Sequence, residues 1–319
     1  MSAETICVVG CGGFVGSHVA AALLARGYNV NGTLRDAGGP NRDWLMSGVA
    51  AAASGENRLT LFSADALDKD SFKSAMEGCS GAIVCAGSPV IAPETIDLMV
   101  AVAENVADAA IAAGIGRAVF TSSTGSTNPP AGEPYLKNEV LHWSDPDRQL
   151  EEKKFAAVGK TRLDRTVLDK MAASAGRFRA AVINPSMIVG PAYQPDPVVS
   201  LVRFAGIVRG ERMAEKIPNS SMSLIDVRDL AALHVAALEN ATARGRYFGV
   251  KRSWHWRDIL RALKRACPAY RMPPVDAGEV PVRPTRFDLT RQTSLGVRLR
   301  GLDAMMTGLV AELERRRMI

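Results

Sequence analysis

The chain has 319 residues, 47% of them hydrophobic, enough for one large core or two smaller ones. Its formal net charge of +6 is mild, no basic run is interleaved with aromatics, and no apolar run is long enough to span a bilayer, which argues against nucleic-acid and membrane partners. The five cysteines form no C-x-x-C pair and the four histidines are scattered; no metal is expected, and without a signal-peptide pattern the expected setting is a reducing cytoplasm.

The chain opens on an apolar run, Thr5–Val9, that reads as a buried strand. Gly10, Gly13 and Gly16 follow at G-x-x-G-x-x-G spacing and lead into a helix over Phe14–Arg26. A strand, a tight glycine turn and a helix N-terminus form the arrangement that lets backbone N–H groups approach a pyrophosphate. A second strand, Tyr28–Leu34, ends at Arg35-Asp36, with Arg42 in the Gly/Pro/Asn loop beyond. An acidic residue at this strand end suits the ribose 2′-hydroxyl of NAD, and arginine suits the 2′-phosphate of NADP. Guanidinium matches phosphate geometry, so Arg35 and Arg42 favour NADP(H) over solvated surface arginines.

Leu59–Phe62 reads as a third strand. Asp65 just past it can face an adenine amino group or cap the helix expected over 68–77. Gly81–Cys85 is a fourth strand, broken by Ala86-Gly87-Ser88-Pro89, small residues that let backbone pass close to a cofactor. A helix over Ile96–Ala113 and a fifth strand, Arg117–Phe120, lead into Thr121-Ser122-Ser123-Thr124-Gly125, hydroxyls at a strand's C-terminal end. Ser126–Gln149 reads as a long irregular loop, followed by one helix over Leu150–Ala175. A sixth strand, Arg179–Ile183, runs into Asn184–Pro191. Helices are expected at 197–209, 226–239, 255–266 and 302–317, with a strand at Arg246–Val250 and a proline-rich connection over 268–284.

The alternation of strands and helices predicts an α/β fold with a doubly wound parallel sheet, a Rossmann architecture, and a smaller C-terminal α/β lobe. The expected division is 1–185, with part of 221–250 returning to it, and 186–319.

These segments resemble the extended short-chain dehydrogenase/reductases, in particular the branch of dihydroflavonol 4-reductases, cinnamoyl-CoA reductases and related carbonyl reductases. The resemblance rests on Gly10-x-x-Gly13-Phe14-Val15-Gly16-Ser17, with Val9 where the family usually has threonine, and on Thr33-Leu34-Arg35-Asp36. It extends to Gly87-Ser88-Pro89, Phe120-Thr121-Ser122-Ser123, Trp143-Ser144-Asp145, Asn184–Pro191, Asp226-Val227-Arg228-Asp229-Leu230 and the tail Thr290–Leu309. It implies reduction of a ketone or aldehyde by NADPH, or the reverse oxidation, by a monomer or homodimer acting on a small molecule. The same fold also carries epimerases and hydroxysteroid-type dehydrogenases.

By this resemblance the cofactor would be held by Gly10, Gly13, Phe14, Val15, Gly16, Arg35, Arg42, Asp65, Ala66, Gly87, Ser88, Thr121, Lys160, Pro185 and Ile188. Ser88, Ser123, Asn128, Met187, Tyr193 and Met222 would face the substrate. Ser123 would hydrogen-bond the substrate carbonyl, with Ser122 as the other register. Lys160 would bind the nicotinamide ribose and lower the pKa of a tyrosine four residues earlier, one turn back on the same helix face. Position 156, however, is alanine, in Lys154-Phe155-Ala156-Ala157-Val158-Gly159-Lys160. Two explanations are open: a Tyr-to-Ala change made to inactivate the protein, or a natural NADP-binding sensor or scaffold without turnover. The intact Ser123, Lys160, glycine turn and Arg35 favour the first.

Overall fold

The structure, a computed structural model, describes residues 3–55, 58–87, 92–132, 134–196, 198–275 and 278–319. In chain order the strands are β1 (Thr5–Val9), β2 (Asn29–Leu34), β3 (Leu59–Ser63), β4 (Gly81–Val84), β5 (Arg117–Thr121), β6 (Leu136–Lys137), β7 (Arg179–Pro185), β8 (Met187–Val189), β9 (Ser221–Asp226), β10 (Gly245–Gly249), β11 (Arg252–His255) and β12 (Arg286–Phe287). The helices are α1 (Phe14–Ala25), α2 (Asn41–Trp44), α3 (Lys73–Met76), α4 (Glu94–Ala112), α5 (Pro146–Glu151), α6 (Phe155–Ala173), α7 (Val199–Val208), α8 (Val227–Glu239), α9 (Trp256–Ala266), α10 (Thr290–Thr293) and α11 (Leu302–Arg315).

A seven-stranded sheet runs β10-β7-β5-β4-β1-β2-β3, every neighbouring pair parallel. Side chains alternate between its faces because strand period is two. Ile6, Val8, Val119 and Ile183 pack with residues of α1 and α8, while Cys7, Val9, Phe120 and Val182 pack with residues of α4 and α6. The central strands are therefore buried on both sides, which explains the apolar runs Ile6–Val9, Ala82–Val84 and Ala180–Ile183. The order reverses between β1 and β4, and in open α/β sheets ligands bind beyond the strand ends at such a point. A third core joins α7, α9 and α11 beneath a small sheet of order β11-β9-β8, and β6 pairs with β12 in a separate two-stranded ribbon. Among the described residues no helix is long and apolar enough to cross a membrane, and no group of His, Cys, Asp or Glu is placed to hold a metal ion.

Several sequence expectations need correction. The helix expected over Leu150–Ala175 is two helices. α5 closes with Lys153 N–H bonding Leu150 O and Lys154 N–H bonding Gln149 O, and Lys153 takes a left-handed φ of 54°. That double bond is the Schellman stop, here built on a lysine instead of glycine. Helix α6 consequently begins at Phe155. The irregular stretch 126–149 holds β6 and α5. Arg42 sits in the short helix α2, which Pro40 precedes, and not in a loop. Residues 68–77 form a 3-10 turn and the short α3, capped by Asp68.

Candidate functional site

The glycine turn sits at the switch point. Gly10 has a φ of +80°, and a Cβ there would lie 2.9 Å from the backbone of Ala86, so only glycine suits both the turn and the close strand. A Cβ on Gly16 would lie 2.1 Å from Gly10 O, which seats α1 directly on the turn. Gly10 N–H donates to Thr33 Oγ1 at 3.3 Å and Gly13 N–H to Gly10 O at 3.0 Å. Helix α1 starts at Phe14 with no capping side chain and no acidic residue in its first turn. Its leading N–H groups and positive dipole end are left for an anion. Gly16→Ala is expected to distort this turn, lowering stability by about 1–3 kcal/mol as overpacking does and abolishing dinucleotide binding, read by thermal melts with and without dinucleotide.

Arg35 and Arg42 are exposed just past β2. Asp65, past β3, is also exposed; it accepts from Leu67 N–H at 2.9 Å and does not cap the following turn. Ala66 follows it, its carbonyl taken by Asn105 Nδ2. Uncapped helix N–H groups, a turn that excludes side chains and two exposed guanidinium groups together fit a phosphorylated dinucleotide. Ser88 lies outside the described residues, and Gly87 is the last residue before that gap.

A second cluster lies where β5 meets α6. Lys160 Nζ donates to Thr121 O at 2.8 Å. Burial pushes its pKa down to about 8, with Asp164 and Cys85 pulling the other way. Thr121 Oγ1 pairs with His234 Nε2 at 2.8 Å, and burial holds that imidazole at about 4, so it is neutral. Ser123 Oγ accepts from Gly125 N–H at 3.1 Å, which leaves its own proton to donate. A Cβ on Gly125 would lie 3.2 Å from Ala157 Cβ, so the Ser123 turn packs against the first turn of α6. Ala156 is half-buried in that same turn. Ser122, the other register, is buried, with Oγ bonded to Lys160 O.

Sequence reasoning missed the layer behind Ser123. Asp164 Oδ2 accepts from Ser126 Oγ at 2.6 Å and from Asn184 Nδ2 at 2.9 Å. Asn184 Nδ2 also donates to Ser123 O at 3.1 Å, and Ser126 Oγ lies 2.9 Å from the same carbonyl. Arg246 Nη1 lies 3.7 Å from Asp164, and its guanidinium stacks 3.4 Å from the Trp143 ring centre. Burial raises the Asp164 pKa and lowers that of Arg246 to about 10. The i+4 spacing of Lys160 and Asp164 was the one local signal for this network.

The other expected positions are scattered. Asn128 Oδ1 accepts from buried Lys137 Nζ. The Tyr193 ring packs 4.7 Å from His18 on α1. Met187 and Met222 are half-buried against the third core, and Ile188 against the first. Pro185 closes β7, and Phe14 sits edge-on to His18 at 5.9 Å. Burial raises the thiols of Cys7, Cys11, Cys79 and Cys85, so these cysteines are packing groups.

Residues 6–249 match the model of the NAD dependent epimerase/dehydratase family. Cinnamoyl-CoA reductase 1 of Oryza sativa subsp. japonica is 33% identical over 298 residues, covering 92% of this chain and 86% of that protein. Vestitone reductase from alfalfa (Medicago sativa L.) superposes with a TM-score of 0.83 at 24% identity, covering 99% of both chains. Yeast methylglyoxal/isovaleraldehyde reductase complexed with NADPH superposes at 0.82 and 18% identity, over 99% of this chain and 100% of that one. The two structural likenesses are of fold.

Proposed function

This chain belongs to the NAD dependent epimerase/dehydratase family, and from that premise we propose that it is built as an NADPH-dependent reductase of a ketone or aldehyde whose proton donor is missing at Ala156. The observation that carries the reading is the intact pairing of β5 and α6. Lys160 is held on Thr121 O and Ser123 keeps a free hydroxyl proton, while the position one turn before Lys160 on α6 is alanine. The nicotinamide, when bound, would supply the hydride that reduces the carbonyl. Ser123 Oγ–H donates to the carbonyl oxygen and stabilises the charge that develops there. Lys160 binds the ribose hydroxyls and supplies a nearby positive charge. Arg35 and Arg42 hold the 2′-phosphate, and the N–H groups opening α1 hold the pyrophosphate. The cinnamoyl-CoA reductase reported above, 33% identical, supports this assignment.

Ala156 also favours a second reading, a protein that binds NADP without turnover. Under both readings NADPH binds. Replacing Arg35 and Arg42 with alanine is expected to weaken NADPH binding about tenfold or more, since a charge-assisted bond contributes roughly 1.5–3 kcal/mol, with NADH binding little changed. Nicotinamide fluorescence titration reads both. Equal loss for the two cofactors would overturn the assignment of these arginines.

A further inference from the structure

Outside the cluster just described, one surface feature collects charge without balance. Lys251, Arg252, Arg283 and Arg286 line a cleft of about 910 Å³ together with Tyr135 and Phe287. Among the described residues its lining contains no carboxylate and none of these cations is ion-paired. Asp288, next in sequence, turns its carboxylate to Asn138 Nδ2 and to Thr290. Arg286 is set in place: its guanidinium lies 5.0 Å from the Tyr135 ring centre and Nη1 donates to Tyr135 Oη at 2.6 Å. Like charges gathered in a cleft focus a positive potential and repel one another until an anion joins them. Guanidinium groups present paired donors that fit phosphate or carboxylate oxygens.

Two contacts tie this cleft to positions expected at the substrate. Ser253 lines it, and its hydroxyl shares a 2.7 Å hydrogen bond with Ser223, the β9 residue beside Met222. Phe287 also lines it, with the ring centre 5.8 Å from Lys137 Nζ, the group that donates to Asn128. We propose that the cleft is an anion-binding site that seats a phosphate- or carboxylate-bearing part of the carbonyl compound, remote from the reacting carbon. The substrate half of this statement rests on the reductase reading; the anion site does not.

The test is calorimetric titration of the full chain, saturated with NADP⁺ so that the dinucleotide site is filled, with inorganic tripolyphosphate and with citrate. One or both anions should bind, with affinity that falls as salt rises; tripolyphosphate alone assigns phosphate and citrate alone assigns carboxylate. Arg252→Gln with Arg283→Gln, both exposed, should weaken binding at least tenfold, and Arg148→Gln, an exposed cation elsewhere, should leave it unchanged. No binding of either anion, or equal binding by the double variant, overturns the site. In a background carrying Ala156→Tyr, the same double variant should raise KM for an anionic ketone and not for a neutral one. Equal effects on the two ketones remove the substrate assignment while the binding result stands.

Discussion

The Ala156→Tyr variant is expected to reduce carbonyls with NADPH about 10²–10⁴-fold faster than the chain as it stands, the usual contribution of a positioned general acid. Position 156 lies in the first turn of α6, one turn before Lys160, so a phenol there shares the lysine's face of the helix. Burial brings the lysine to about 8, and its positive form would favour the phenolate and so bring the phenol nearer the pH at which it transfers a proton. Ser123 already presents a hydroxyl proton from the facing turn, and Gly125 packs that turn against Ala157. The Ala156→Phe variant occupies the same space without a proton. It is expected to stay at the baseline rate, which separates acid catalysis from cavity filling. Cofactor absorbance followed over a panel of ketones, diketones and aldehydes reads both variants.

The second large effect is structural. Asp164→Ala is expected to cost about 3–5 kcal/mol of folding stability, because it strands the buried Arg246 charge without its partner. Asp164 is 0% exposed and Arg246 is 3% exposed, so water cannot take the carboxylate's place. The same change frees Ser126 and Asn184, which together fix the carbonyl of Ser123. Replacing both charges with apolar residues of similar size, Asp164→Leu with Arg246→Met, should recover much of that loss, since the isolated charge is then gone. Urea midpoints measure each variant. An Asp164→Ala loss below 1 kcal/mol would mean the pair contributes little.

The glycine turn was legible because its constraint is local. Gly10 needs a positive φ, Gly10 and Gly16 need the absence of a Cβ, and the neighbours that impose this belong to adjacent strands and the turn itself. The parallel sheet was legible from apolar strands separated by helices. The break before α6 was hidden because its left-handed residue is Lys153, where sequence rules look for glycine. The short helix that holds Arg42, starting at Asn41, was hidden in a Gly/Pro/Asn run that reads as loop, although proline is well tolerated at a helix start. Strands β8 and β11 are short, three and four residues, and β9 follows a segment whose periodicity is weak. The network of Asp164, Asn184 and Arg246 comes from three elements far apart in sequence; only the packing of α6 on β7, with β10 paired beside β7, brings it together. The cationic cleft was hidden for the same reason, since Tyr135, Arg252 and Arg286 meet only through the β6–β12 ribbon and β11.

The most direct test of hydride transfer at this site uses NADPH deuterated at the transferable C4 position, incubated with the Ala156→Tyr chain and the carbonyl panel. The products are then analysed by mass spectrometry. Deuterium on the carbinol carbon of at least one product is the predicted result, with the Ala156→Phe chain giving none above background. Tight NADPH binding by both chains with no label in any alcohol would contradict the reductase reading and leave the NADP-binding protein without turnover in its place.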